Sequence, residues 1–199
     1  VNPPCLGIIL AGGQSKRMGQ DKALMPHPLG NGTQNMLQYS EQLFQNAGME
    51  QVLISRDSQN TNDVTGATGI RDIYKKAGPL GGLYSVLQHT SCDAVLMLPV
   101  DLPLMTAPML QQLRQVGERN HSACCFEGHS LPLYLPIDKN VRDFLQHEFA
   151  QFNGKGPAIK HLLKQVPHTR ITADEPIKLS NTNTPEQWQD AQQILQSGI

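Results

Sequence analysis

A layered α/β domain with a largely parallel sheet is the fold class this sequence predicts. Three observations predict it. Short apolar runs of about five residues alternate with segments whose apolar residues recur at helical spacing. The first run ends directly in Gly12-Gly13. A later unbroken run, Ala94-Val95-Leu96-Met97-Leu98, ends in Pro99-Val100-Asp101-Leu102-Pro103. Glycine turns and acids just past the carboxyl ends of buried strands are what open parallel sheets use to bind ligands.

The elements follow in chain order. Residues 6–10, Leu-Gly-Ile-Ile-Leu, read as the first buried strand. Met36, Leu37, Leu43, Phe44 and Ala47 recur at helical spacing, Gly48 suits a helix stop, and residues 51–55 read as a second strand. Residues 70–73 give a short third strand ending near Asp72, and Gly78-Pro79-Leu80-Gly81-Gly82 opens a helix with Leu83, Val86 and Leu87 inward. Residues 94–98 form a central strand that leaves Asp101 just past its carboxyl end. Thr106 can cap a helix carrying Leu110, Leu113 and Val116, and residues 123–126 and 131–135 give two more strands around a turn at Gly128. The last helix opens with Thr184 as N-cap, Pro185 in its first turn and Gln187 closing a capping box, with Trp188, Ala191 and Leu195 on the core side. Met97, Met105 and Met109 fit strand and helix spacing and read as core.

Composition narrows the function classes. At 199 residues the whole chain, 1–199, reads as a single domain with enough length for one sizeable core. A formal net charge of −1 gives no surplus of cations for a general nucleic-acid binder. Apolar runs are too short to span a bilayer, and residues 1–30 show no basic segment followed by a long apolar core, so no membrane role and a cytoplasmic location are expected. Cys5, Cys92, Cys124 and Cys125 contain no C-x-x-C pair and read as reduced, partly buried thiols; Cys124 and Cys125 should face opposite sides of their strand. The histidines lack the spacing of a zinc site.

The chemistry concentrates in residues 10–25, LAGGQSKRMGQDKALM. Gly12 and Gly13 have no side chain to keep a phosphate from the main chain, while Lys16, Arg17 and Lys22 supply positive charge. Arg17 can grip two oxygens at once. The spacing fits neither G-x-x-x-x-G-K-[ST] nor G-x-G-x-x-G, so this is neither a P-loop nor a dinucleotide fingerprint. Asp101 suits Mg²⁺, which takes few carboxylate oxygens and completes its shell with water and substrate phosphates; the same residue could simply cap a turn. Lys155, within Asn153-Gly154-Lys155-Gly156-Pro157, stands before a helix predicted over 158–163 with Pro157 in its first turn. It could meet a phosphate of an acceptor or be a solvated loop lysine.

LAGGQSKRMGQDKALM, GPLGG at 78–82, LPVDLP at 98–103 and NTNTPE at 181–186 together resemble the molybdenum cofactor guanylyltransferases, the MobA family, over nearly the whole chain. The resemblance implies a Rossmann-like nucleotidyltransferase fold, three-layer α/β/α with a mostly parallel sheet. It implies an enzyme that binds Mg-GTP, transfers GMP to the terminal phosphate of molybdopterin and releases pyrophosphate. Carried onto this sequence, Leu10, Ala11, Gly12 and Gly13 match the GTP loop, Lys22 the phosphate-contacting lysine, Arg17 the triphosphate arginine and Asp72 a nucleotide-contacting aspartate. Asp101 matches the metal and nucleotide aspartate. Ser55 stands where many members carry asparagine, and serine still donates and accepts. Asn181 and Asn183 are candidates for holding the acceptor or completing the metal site, or for helix entry and capping. Proteins that deliver or receive the cofactor are implied as partners.

Such a reaction needs no covalent protein intermediate, and the chain has no G-x-S-x-G turn to support one. Two other readings stay open at this level. A cytidylyltransferase acting on molybdopterin would differ in base choice, and a non-catalytic nucleotide-binding regulator would keep the glycine loop without needing Asp101 beside Lys22.

Overall fold

A computed structural model describes residues 5–12, 21–29, 34–56 and 67–198. Gly13, Lys16 and Arg17 of the basic glycine loop lie outside these residues. The strands are β1 Leu6–Leu10, β2 Val52–Arg56, β3 Thr68–Arg71, β4 Ala94–Pro99, β5 Ala123–Phe126, β6 Leu133–Pro136 and β7 His168–Ile171. The helices are α1 Met36–Asn46, α2 Gly78–Leu87, α3 Ala107–Asn120, α4 Lys139–Ala150, α5 Ile159–Leu163 and α6 Pro185–Ser197.

The described strands form a seven-stranded sheet ordered β3-β2-β1-β4-β6-β5-β7. Only β6 opposes the rest, pairing antiparallel with β4 and β5; β1 is parallel to both β2 and β4. This is the three-layer, mostly parallel sheet expected. Alternation along the strands assigns the layers. Ile9, Leu96 and Leu98 share one core with Phe44 of α1 and with Leu110 and Leu113 of α3, while Ile8, Val95 and Met97 share the other with Leu80 and Leu83 of α2 and with Phe149 of α4. Cys124 joins the first core and Cys125 the second, so the neighbouring thiols do face opposite sides. Fully burying a side chain such as Ile8 or Leu80 contributes about 1.5–3 kcal/mol, which explains why these runs rather than local propensity fix the sheet.

Caps set the helix entries. Asn35 and Gln38 form a full capping box at α1, and Gly48 (φ 77°) follows its C-terminus in the left-handed conformation that glycine tolerates. At α6, Thr184 accepts from Gln187 N, but Gln187 Oε1 accepts from Asn183 N at 2.7 Å rather than from Thr184 N, so the expected box is shifted by one residue. Thr106 is the N-cap of α3 without a side-chain cap bond.

The structure departs from the sequence reading at five further places. β3 ends at Arg71, two residues earlier than expected, because its register is set by pairing with β2 and Ile73 is left 48% exposed. β6 starts at Leu133, after Pro132, which has no N–H for a ladder. Pro157 lies before the α5 N-cap, Ala158, and so outside the first turn. Helix α4 and strand β7 have no counterpart in the sequence reading. The α4 signal was present in Asp138 and the spacing of Val141, Phe144, Leu145 and Phe149, whereas β7 is a half-exposed edge strand with no apolar run. No described helix is long and apolar enough to cross a membrane.

Candidate active site

The carboxyl ends of β1, β2, β3 and β4 open onto one cavity of about 610 Å³. Leu10, Ala11 and Gly12 form its floor at the end of β1. The exit of β1 is fixed from both sides, by Ala11 N donating to Ser55 O at 2.9 Å and Val100 N donating to Leu10 O at 3.2 Å. Ser55 and Asp72 line a second wall, and Ser55 Oγ donates to Asp72 Oδ1 at 2.6 Å. A Cβ at Gly82 would lie 2.2 Å from Ser55 Oγ, so the glycine in GPLGG lets α2 close on that pair. Lys76, in the left-handed conformation (φ 60°), Ala77, Gly78 and Pro79 bring the start of α2 to the same cavity.

Asp101 enters from the loop after β4. Its carbonyl accepts from Thr182 N at 3.0 Å and Thr182 Oγ1 at 3.2 Å, and Asn181 Nδ2 lies 3.4 and 3.3 Å from its two carboxylate oxygens. Lys22 Nζ donates to Asn183 Oδ1 at 2.6 Å and stands 3.5 Å from Asp101 Oδ2. Lys22 belongs to a 3-10 turn, Lys22–Leu24, whose N-cap Asp21 accepts from Ala23 N at 3.0 Å and pairs with the buried Arg56 guanidinium. The predicted residues Leu10, Ala11, Gly12, Lys22, Ser55, Asp72, Asp101 and Asn183 thus line one cavity. Asn181 touches it through Asp101.

Lys155 does not line the cavity and is exposed. Its loop lies beside the α2 entrance, because a Cβ at Gly156 would stand 1.8 Å from Ala77 O. Sequence reasoning missed Asp21, Arg56 and Lys76. Asp21 sits beside Lys22 in the quoted motif, but nothing local marks Arg56 as its buried partner.

Among the described residues no cluster of three or more His, Cys, Asp or Glu forms a closed metal cage. Of the carboxylates that line the cavity, Asp21, Asp72 and Asp101, it is Asp101 that lies beside both Lys22 and Asn183, and its carboxylate with the Asn183 amide oxygen is a hard-oxygen set suited to a divalent ion that draws its other ligands from water and phosphate.

The profile of the MobA-like NTP transferase domain matches residues 7–169. The chain belongs to this family. It is 35% identical, over 93% of each sequence, to a molybdenum cofactor guanylyltransferase of Xanthomonas euvesicatoria pv. vesicatoria (strain 85-10). The fold is also that of a nucleotidyl transferase from Methanothermobacter thermautotroptrophicus, with a TM-score of 0.74, 15% identity, and coverage of 98% of this chain and 99% of that one. A manganese complex of Rv0371C from Mycobacterium tuberculosis H37Rv aligns with a TM-score of 0.64 at 16% identity, over 95% of this chain and 98% of the other. In this MobA-like chain, Gly12, Lys22 and Asp101 line the cavity at the carboxyl ends of the parallel strands, the edge at which open α/β sheets bind ligands.

Proposed function

We infer that this protein is a molybdenum cofactor guanylyltransferase: it transfers GMP from GTP to the terminal phosphate of molybdopterin, releases pyrophosphate and forms the molybdopterin guanine dinucleotide cofactor. The observation that carries the site assignment is the convergence of Lys22, Asp101 and Asn183 at the cavity whose floor is Leu10, Ala11 and Gly12.

The acceptor oxygen attacks the α-phosphorus in line, the bond to the bridging oxygen breaks, and pyrophosphate carries away the charge. The main-chain groups of residues 10–12 face the nucleotide, and Gly13 and Arg17, outside the described residues, are the further residues proposed to bind its phosphates. Asp72, oriented by Ser55, contacts the base or ribose. Lys22 neutralises charge on the phosphates, and Asn183 fixes where its ammonium sits. Asp101, with Asn183 nearby, would hold Mg²⁺, which supplies Lewis-acid neutralisation of phosphate charge when bound. On the acceptor side, Lys155, Asn181 and Asn183 are the residues proposed to meet molybdopterin. Proteins that deliver or receive the pterin are its proposed partners.

Pyrophosphate release with each nucleoside triphosphate, with and without molybdopterin, tests the assignment. Release with GTP and dependent on molybdopterin is expected. Preferential turnover of CTP would make the protein a cytidylyltransferase, and GTP binding without release would make it a regulator.

A further inference from the structure

The segment that carries Lys22 is not a sheet strand. Beyond the short turn at Lys22–Leu24, its backbone is tied down by His27 N donating to Gln34 O, Met36 N donating to Met25 O and one isolated bridge, Pro26 to Asn35. Those ties lead towards α1. None of them fixes the segment relative to the loop after β4, where Asp101 sits.

His27 makes that connection. It is 4% exposed, and its Nε2 lies 2.9 Å from Pro103 O, two residues beyond Asp101. A carbonyl oxygen can only accept, so Nε2 carries the hydrogen. Leu29 N donates to Nδ1 at 3.3 Å, which requires the other ring nitrogen to be bare. Both contacts therefore select one form, the neutral Nε2–H tautomer. The ring stacks on Tyr39 of α1 with centroids 3.8 Å apart, and Tyr39 OH donates to Met105 O at 2.7 Å on the same loop. Two side chains in contact thus hold the backbone of residues 103–105 from the side that carries Lys22. Nothing in the transfer chemistry requires a histidine here, since His27 does not line the cavity.

We propose that His27 is a positioning residue: its Nε2–H bond to Pro103 O and its stack on Tyr39 register the Lys22 segment against the Asp101 loop, and so set the separation of the cation and the carboxylate that work on the same nucleotide. The proposal rests on the reading of Lys22 and Asp101 as phosphate and metal residues. Small errors in such a separation cost rate more than binding, because GTP keeps its other contacts while the in-line geometry is lost.

The test compares H27F with H27Q in the full chain. Phenylalanine keeps a flat ring for Tyr39 and removes the donor; glutamine places an amide N–H near the position of Nε2 and removes the ring. Single-turnover GMP transfer from GTP to molybdopterin should fall about tenfold in H27F with the GTP dissociation constant within about twofold of wild type, and H27Q should recover most of that loss. Equal loss in both variants, or an undiminished rate in H27F, would overturn it. Imidazole ¹⁵N spectra of the unsubstituted protein, assigned by the resonance missing from H27Q, give a readout independent of catalysis and of how H27F folds. They should show a neutral Nε2–H ring at position 27, and an Nδ1–H ring would overturn the proposal. Absence of any GMP transfer by the unsubstituted protein would instead count against the guanylyltransferase reading, while the tautomer result would still decide the geometry.

Discussion

Lys22 Nζ donates to Asn183 Oδ1 at 2.6 Å across a sequence separation of 161 residues, and the same ammonium lies 3.5 Å from Asp101 Oδ2. The first and last motifs of the chain therefore meet at one carboxylate. Lys22→Ala should lower the single-turnover rate about a hundredfold, roughly 3 kcal/mol, and do so more than it weakens GTP binding. Asn183→Ala, which leaves the cation but frees its direction, should cost about tenfold. Rates measured beside GTP dissociation constants decide this; a loss wholly explained by weaker binding would reject the role.

Asp101→Asn should remove most divalent-cation-dependent turnover and leave the thermal melt close to that of the unsubstituted protein. The substitution keeps the carbonyl that Thr182 holds and removes only the charge. Titrating Mg²⁺ against turnover is the measurement, and near-normal activity at moderate Mg²⁺ would sink the assignment.

Gly82→Ala should destabilise the protein by about 1–3 kcal/mol. The added Cβ would stand 2.2 Å from Ser55 Oγ and 3.2 Å from Leu10 Cδ2. The hydroxyl can escape only by leaving Asp72, so GTP affinity should fall as well. Denaturant unfolding and GTP binding measured together check both halves, and a variant with unchanged midpoint would show that α2 can shift freely.

Burial of His27 lowers its pKa from the ordinary 6.5, with the Pro103 hydrogen bond acting in the opposite direction. Because the folded state takes up its proton less readily than the unfolded chain, His27 contributes stability that is full above about pH 6.5 and is lost as pH falls towards the depressed value. Unfolding free energies across pH 5 to 8 should therefore fall on the acid side, and H27Q should flatten that slope.

Burial pushes the Cys5 thiol up to about 12 and those of Cys92 and Cys124 to about 11, and it raises Cys125 as well. Thiolate is the reactive form, so a thiol-specific reagent at pH 8 should modify none of the four in the folded protein and all of them in denaturant. Fast labelling of any one under native conditions would show that its segment opens.

Residues 6–10 and 94–98 fix the central strands from sequence alone, because an unbroken apolar run that short can only be satisfied by burial on both faces. Gly12 and Asp101 were legible as groups at one edge of the sheet for a related reason: a strand that ends in a turn must expose what comes next there, and both line the cavity. The Gly48 stop after α1 and the Thr184 cap of α6 were nearly as clear, since caps act over three or four residues, whereas the Asn35–Gln38 box of α1 emerged only in the structure. Tertiary structure alone decided the rest. The register of β3, the place of β7 at the far edge and the pairing of Arg56 with Asp21 depend on partners distant in the chain. So do the two hydrogen bonds that fix His27 as the Nε2–H tautomer between Pro103 and Leu29. A sequence carries each residue's chemistry and its local period, but the angle and distance at which two loops meet arise only when the whole sheet and its two cores have packed.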